Sequence, residues 1–193
     1  LSDTRISEIM ARLAAEDIES NLIVASDHGM AATSLDRVII LEDHVARDSV
    51  QIDSDGSALA LRPLRGDARS LVRAFQGVRH ARAYLAQDLP AHLRLAGNDR
   101  ISPVWVLPDE GWHVVTRATY DRLRANYRVN GYLQGDHGYD PALPAMHGIL
   151  SAHGPAFRPG ARAASGENVH RYNLMCAVLG LLLGGAIKAA LFA

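Results

Sequence analysis

The chain has 193 residues, 48% hydrophobic and 21% charged, which is typical of one globular domain with a buried core and excludes a disordered or fibrous chain. Its net charge of −1 and its scattered arginines form no basic patch, so a general nucleic-acid-binding surface is not expected. Its single cysteine, Cys176, excludes an internal disulfide bond and a cysteine-based zinc site.

The first predicted elements in chain order are a helix and a strand. Residues 3–19 place apolar side chains at helical spacing between acids and arginines, which predicts an amphipathic helix. The apolar run "NLIVAS" (21–26) is typical of a strand that is covered on both faces in a parallel sheet. A helix followed by a buried strand indicates an alternating α/β fold.

The middle of the chain, residues 36–120, is predicted to form an α+β insertion lobe. Strands are expected in "DRVIILEDH", "SVQIDSDGSALALRP" and "ISPVWVLPDEGWHVV", with turns at "SDG" and "PDEG". Helices are expected in "DARSLVRAFQ" (67–76) and "ARAYLAQDLP" (81–90).

The C-terminal region combines a further strand with a strongly apolar end. The segment "HGILSAHGPAF" (147–157) is predicted to contain a strand with a Gly-Pro exit, and residues 172–182 are predicted to form a helix that packs on the sheet. We expect "NLIVAS" and the 147–153 stretch to be neighbouring buried strands. The last 20 residues contain one charge, Lys188, so membrane contact through this run is an alternative. Lys188 and the pair Gly184-Gly185 interrupt such a span and favour the packed helix.

Three clusters place histidine beside an acid or a glycine: "SDHGM" (26–30), "GDHGYD" (135–140) and "MHGILSAHGP" (146–155). In open α/β sheets, ligand-binding groups gather beyond the carboxyl ends of the strands, and Asp27-His28 directly follows a predicted strand. One carboxylate and one imidazole supply half of a tetrahedral zinc shell. A turn with a capped carboxylate is the alternative for an isolated "DHG", and the second "DHG" favours a metal site.

These segments resemble a known family. "NLIVASDHGM" followed far downstream by "GDHGYDPALPAMHGILSAHGPAF" is similar to the nucleotide pyrophosphatase/phosphodiesterase family of the alkaline phosphatase superfamily, and "DEGWHV" and "ENVHRYNLMCAVLGL" stand in the family's order. The resemblance implies an α/β fold with an alkaline-phosphatase-like, mostly parallel sheet flanked by helices, present here as a partial domain. Residues 1–35 and 121–182 are expected to belong to the catalytic domain, with 36–120 as its insertion lobe. Residues 183–193 form an apolar tail that departs from the family.

The resemblance also implies a site with two divalent metal ions, normally zinc, which together promote an in-line displacement at phosphorus. Asp27 and His28 match the pair that binds one ion, and His137 matches a ligand of the other. In the family, the threonine or serine nucleophile and the remaining ligands lie upstream of every segment seen here. The chain is therefore expected to hold three metal ligands, with their side chains near one another in space, and no catalytic residue.

A substitute nucleophile within the chain is not expected. The hydroxyls near the Asp27-His28 pair belong to Ser26, Thr33 and Ser34, and no sequence pattern places one of them at a helix N-terminus facing two ions.

Several other polar residues have both a functional and a structural interpretation. Asp136 is expected either to orient the ring of His137 or to lie in a surface turn, and Asp140 has the same alternatives. Gly138 is expected to provide the tight turn that lets His137 reach inward. His113 is expected to help pack the lobe. Satisfied structural histidines are favoured over metal ligands at positions 147 and 153, and no role is assigned to His44, His80, His92 and His170.

Two functions remain open at this point. The chain is part of a two-zinc phosphodiesterase or nucleotide pyrophosphatase acting on a small-molecule phosphodiester or nucleotide, or it is a non-catalytic truncated or degenerate relative that binds a metal or a partner. The retained ligands favour the first function for the whole protein, and the missing nucleophile favours the second for this chain alone. The resemblance implies a periplasmic or extracellular location and does not choose among nucleotide diesters, phospholipid head groups and phosphonates as substrates.

Overall fold

The computed structural model describes residues 2–95, 98–130 and 135–181. The chain forms two compact units, one made of Leu1–Asp27 and Gly148–Ala193 and the other of His28–His147. The predicted lobe boundaries at 36 and 120 do not coincide with this division, and they stay a prediction.

The first unit contains helices α1 (Ser2–Ala15) and α4 (His170–Val178) and strands β1 (Leu22–Ala25) and β10 (Leu150–His153). The predicted helix at 3–19 is thus confirmed over most of its length. The strands β1 and β10 pair antiparallel, with Leu22 opposite His153 and Ala25 opposite Leu150. The two segments predicted to be neighbouring strands are therefore neighbours.

The prediction that both of these strands are buried is wrong for β10. Every residue of β10 is exposed, while β1 is half-buried over Leu22–Val24. Among the described residues the sheet of β1 and β10 has only these two strands, so each keeps one edge without a neighbouring strand.

The second unit is built around a four-stranded antiparallel sheet with the order β4-β5-β7-β6. Its strands are β4 (Val50–Ser54), β5 (Leu59–Pro63), β6 (Ala81–Leu85) and β7 (Val104–Pro108). The short turn at "SDG" makes β4 and β5 an antiparallel hairpin, as the sequence predicted. Helix α2 (Ala68–Ala74) begins at Asp67, whose carboxylate accepts a hydrogen bond from the Ser70 amide at 2.8 Å. The core under this helix contains Val50, Leu59, Leu61, Leu71, Phe75, Val104 and Val106.

The helix predicted at 81–90 is wrong. Residues Ala81–Leu85 form β6, which pairs along its whole length with β7, and a short 3-10 turn follows over Ala86–Asp88. Alanine, leucine and glutamine favour a helix in isolation, but strand β7 pairs with each of the five residues Ala81–Leu85. Tertiary pairing overrides the local preference.

The second unit also contains a pair of parallel strands. Strand β3 (Val38–Ile40) runs parallel to β8 (His113–Val115), and the other strand pairs among the described residues are antiparallel. The parallel arrangement predicted for the sheet is therefore limited here to this pair. All three residues of β8 are buried.

Helix α3 (Arg117–Asn130) follows β8 directly and was not among the predicted elements. Thr116 begins it, because its hydroxyl accepts a hydrogen bond from the Thr119 amide at 3.0 Å. Glu42 accepts a second bond, from the Arg117 amide at 2.8 Å, so two of the first amide groups of the helix are satisfied.

The smallest strand pair joins β2 (Ala31–Ala32) to β9 (Gly135–Asp136), with Ala31 opposite Asp136. A small buried cluster of Ala31, Tyr139 and Met146 lies at this pair. These contacts bring the segment that follows His28 close to the segment that contains His137, although they are far apart in sequence.

The predicted C-terminal helix is confirmed as α4, which ends at Val178 ahead of Gly180 in the left-handed conformation (φ +67°). Cys176 is buried on it. Within the described residues, no helix is long and apolar enough to cross a membrane. The apolar tail at 183–193 and the glycine pair at 184–185 lie outside the described residues.

Candidate metal centre

The two predicted ligands of the second unit, His28 and His137, lie face to face. Their ring centroids are 3.7 Å apart and the ring planes differ by 18°. The β2–β9 pair explains this contact, because it fixes the chain three residues after His28 beside the chain one residue before His137. The expected proximity of these two side chains is therefore confirmed, although they are far apart in sequence.

The ring of His28 is held by the backbone of its neighbour. Its Nδ1 atom lies 2.7 Å from the carbonyl oxygen of Gly29. Because a carbonyl oxygen only accepts hydrogen bonds, Nδ1 donates, and the neutral ring then carries its lone pair on Nε2. Fixing the proton on one imidazole nitrogen so that the other faces a metal is the usual arrangement for a histidine ligand.

The backbone around His137 is fixed by the residues on either side of it. The Asp136 carboxylate accepts a hydrogen bond from the His137 amide at 2.8 Å. Gly138 has a left-handed φ of +93°, and a Cβ at this position would lie 2.7 Å from the Ser57 hydroxyl oxygen. A side chain at 138 would therefore meet both backbone strain and a close contact, as the predicted tight turn requires.

The third predicted ligand, Asp27, is the last residue of the first unit and is exposed. Its backbone carbonyl accepts a hydrogen bond from the Asn168 side-chain amide at 3.3 Å. The guanidinium of Arg171 donates to the carbonyl oxygen of Ser26, one residue earlier. The backbone at Ser26 and Asp27 is thus held by Asn168, just before α4, and by Arg171, in its first turn.

The hydroxyls near the Asp27-His28 pair have structural positions. The Ser26 hydroxyl accepts a bond from the Ile149 amide at 2.8 Å, which continues the contact between the β1 and β10 segments. The Ser34 hydroxyl accepts a bond from the Asp36 amide at 3.2 Å, and Thr33 is buried. Two of these hydroxyls thus serve local backbone structure, and the third is shielded from solvent.

Sequence reasoning missed a pairing between His113 and Asp136. The Nε2 atom of buried His113 lies 2.8 Å from Oδ2 of Asp136, and the other oxygen of this carboxylate binds the His137 amide. Asp136 was expected to orient the ring of His137 or to lie in a surface turn, and the structure places it on the His137 backbone instead. The two residues are 23 positions apart, so no local pattern could have revealed the pair.

Three of the other histidines contact neighbouring side chains, and three are exposed. His92 lies 2.9 Å from both carboxylate oxygens of Asp140, which also accepts a bond from the Ala142 amide at 2.8 Å. His80 stacks on Trp112 with ring centroids 4.0 Å apart. His147, His153 and His170 are exposed, and the ring of His44 lies 5.3 Å from that of Phe75.

Among the described residues, no group of three or more His, Cys, Asp or Glu side chains is gathered so that it could hold a metal ion by itself. The prediction assigns two ligands to one ion and one ligand to the other. The donors that the sequence singled out, one carboxylate and two imidazoles, are ligand types that zinc accepts.

The chain is similar to proteins of one known family. Residues 2–140 match the family model described as "Type I phosphodiesterase / nucleotide pyrophosphatase". The human bis(5'-adenosyl)-triphosphatase is 33% identical over 181 residues, covering 93% of this chain and 38% of the relative. The venom phosphodiesterase of Naja atra is 31% identical over 194 residues, covering 94% of this chain and 22% of the relative.

Solved structures agree. Human ectonucleotide pyrophosphatase/phosphodiesterase 5 matches with a TM-score of 0.82 and 29% identity, over 94% of this chain and 47% of that one. Its murine counterpart, solved in an inactive form with AMP, matches with a TM-score of 0.81 over 46% of its length. The chain thus spans less than half the length of these relatives. The family resemblance and the predicted fold class, as part of a larger domain, are both confirmed.

Proposed function

We propose that this chain, which belongs to the type I phosphodiesterase/nucleotide pyrophosphatase family, forms the metal-binding part of an enzyme that hydrolyses phosphodiester or pyrophosphate bonds. The observation that carries the proposal is the face-to-face contact of His28 and His137, two imidazoles from separate "DHG" segments, 3.7 Å between ring centroids. A structural role alone does not require both segments to present a histidine at the same place.

The proposed ligands are Asp27 and His28 for one divalent ion and His137 for a second, with zinc as the expected metal. The hydrogen bond from His28 Nδ1 to the Gly29 carbonyl supports this assignment because it leaves Nε2 as the ligating atom. When bound, two such ions activate a nucleophile and stabilise charge on the phosphate oxygens. The residues of this chain hold and orient the ions.

We assign the nucleophile to a part of the protein outside these residues. The Ser26 hydroxyl is bonded to the Ile149 amide, the Ser34 hydroxyl to the Asp36 amide, and Thr33 is buried. A nucleophile needs an accessible oxygen beside a metal ion or a base. None of these three hydroxyls supports that role.

The proposed substrate is a small-molecule nucleotide. The curated human relative is a bis(5'-adenosyl)-triphosphatase, and a solved murine relative holds AMP. The proposed location of the whole protein is extracellular or periplasmic, which is supported by relatives that are an ectonucleotide pyrophosphatase and a venom enzyme.

The test is hydrolysis of bis-p-nitrophenyl phosphate and of diadenosine triphosphate, with zinc, by the full-length protein that carries this sequence and by the 193-residue chain. We expect turnover by the full-length protein alone. Loss of one metal removes several kcal/mol of transition-state stabilisation, so Asp27→Ala and His137→Ala should each lower kcat/KM about 10³-fold.

His147→Ala is the matched control, since His147 is an exposed histidine near the same segments and is assigned no ligand role. It should keep kcat/KM within about twofold of the parent protein. Turnover by the short chain that disappears in Asp27→Ala would show that the nucleophile has been misplaced. A full-length protein without turnover on either substrate would instead favour a non-catalytic metal- or partner-binding relative.

A further inference from the structure

The residues behind the His137 backbone form a connected set that the two-metal assignment does not include. Asp136 uses one carboxylate oxygen to bind the His137 amide and the other to bind Nε2 of His113, each at 2.8 Å. His113 itself is 4% exposed, whereas the Asp136 side chain is 37% exposed. A buried imidazole thus meets a carboxylate at the edge of the site.

His113 is fixed by the core of the unit. It is the first residue of β8, whose three residues are all buried and which pairs in parallel with β3. Its amide donates to the Arg37 carbonyl at 2.9 Å, and its ring lies parallel to that of buried Tyr139, with an interplanar angle of 6° and centroids 6.4 Å apart. The backbone of His113 is therefore held by strand pairing, and its ring is buried beside Tyr139.

Asp136 is fixed from the opposite side. It lies in β9, where it pairs with Ala31 of β2, so its backbone has little freedom. A carboxylate that accepts from two donors cannot rotate without breaking one of these bonds, which cost more to lose when one partner is buried. The amide of His137 is thus tied through Asp136 to a strand of the core.

We propose that His113 and Asp136 are positioning residues for the metal ligand His137. By holding the His137 amide, the pair sets the direction in which this side chain leaves the backbone and so keeps the ring opposite His28. This inference rests on the proposed function, because it takes His137 as a ligand. It adds a buried histidine 24 residues away in sequence that neither the motif nor the resemblance assigned.

The test uses cobalt(II), whose visible spectrum reports ligand geometry, bound to the metal-free full-length protein. Removing an outer partner of a metal ligand typically weakens metal binding about 10–100-fold. We expect a loss of this size, with an altered cobalt spectrum, in Asp136→Ala, and a smaller loss in His113→Phe, which fills the buried volume but has no donor. Asp136→Asn, which retains an acceptor for the His137 amide, should lie nearer the parent protein than Asp136→Ala.

Two further variants make the result decisive. Because His113 acts through Asp136, the double variant should bind cobalt no more weakly than Asp136→Ala alone, and an additive loss would overturn the proposal. Asp109→Ala is the matched control, since it removes the acceptor of the His80–Asp109 pair at 3.1 Å and should leave the spectrum unchanged. A lower thermal stability of Asp136→Ala with unchanged cobalt affinity and spectrum would also overturn the proposal and leave the pair a structural one.

His137→Ala separates this inference from the function on which it rests. If that variant loses cobalt while Asp136→Ala does not, the positioning role is wrong and the ligand assignment stands. If His137→Ala keeps full cobalt affinity, the ligand assignment itself is wrong, and the positioning role is wrong with it.

Discussion

Gly29 is the residue at which a single added carbon should disturb the site most. A Cβ at this position would lie 2.1 Å from the Ala145 carbonyl oxygen and 2.7 Å from that of His147. Both atoms belong to backbone, and the shorter distance is more than 1 Å below ordinary van der Waals contact at about 3.4 Å. Neither a rotamer change nor a side-chain shift relieves such a contact, so the two chain segments must separate.

Separating the segments around Gly29 and Met146 should lower the free energy of unfolding, because a backbone hydrogen bond and a buried cluster join them. The Gly29 amide donates to the Met146 carbonyl at 2.9 Å, and Met146 packs in the buried cluster with Ala31 and Tyr139. Forced overpacking costs about 1–3 kcal/mol, and weakening one backbone hydrogen bond adds about 0.5–1.5 kcal/mol. We therefore expect Gly29→Ala to lower the free energy of unfolding by about 2–4 kcal/mol.

Urea denaturation of the full-length protein measures this change, with Gly166→Ala as the matched control. A Cβ at Gly166 would have no atom within 4 Å, and its φ is not in the left-handed region. The control should stay within about 0.5 kcal/mol of the parent or be slightly more stable, because alanine reduces the freedom of the unfolded chain. A Gly29→Ala protein as stable as the control would refute the close approach of these segments.

Two further predictions concern the second unit. Leu61 is fully buried, so Leu61→Ala should lower the free energy of unfolding by about 2–5 kcal/mol. The control Leu64→Ala, at a side chain that is 62% exposed, should change it by less than about 0.5 kcal/mol. Equal effects of the two substitutions in urea denaturation would contradict the described core. Hydrogen bonds to the carboxylate, first from Ser102 and then from Gln51 and Arg62, hold the pKa of Asp53 below its ordinary value. At a pH above the ordinary pKa, the ionised carboxylate therefore stabilises the folded state. This contribution is lost as pH falls through the lowered pKa of the folded protein. Asp53→Asn should therefore be less stable than the parent at pH 7 and show a shallower loss of stability below about pH 4, and parallel stability curves from pH 7 to pH 2 would rule this out.

Elements with local signals were predicted correctly from the sequence. The hairpin of β4 and β5 has a turn between two apolar runs, and helix α2 has Asp67 as its N-cap. In both cases the residues that form the element also determine its ends. The segments at 21–26 and 147–157 were likewise recognised as strands because each is a short apolar run beside turn residues.

Elements that depend on distant partners were predicted less well. Ala81–Leu85 becomes a strand because β7 lies beside it, and β7 begins 19 residues after this segment ends. The Thr116 cap of α3 is reinforced by Glu42, which lies far upstream. His113 binds Asp136 only because β8 and β9 come together in the folded unit. Local residue patterns do not predict such contacts between residues that are far apart in sequence.

The two "DHG" segments show how one tripeptide can satisfy two different backbone demands. Gly29 has no left-handed φ and is required by the close passage of residues 145–147, whereas Gly138 has a φ of +93° and faces the Ser57 hydroxyl. The first glycine lets a neighbouring segment approach, and the second turns the chain. Each solution places its preceding histidine at the same point, where the rings of His28 and His137 meet at 3.7 Å. Because the two glycines meet different constraints, the stacking of His28 on His137 does not follow from a repeated local structure, and it supports the proposed role of both residues as metal ligands.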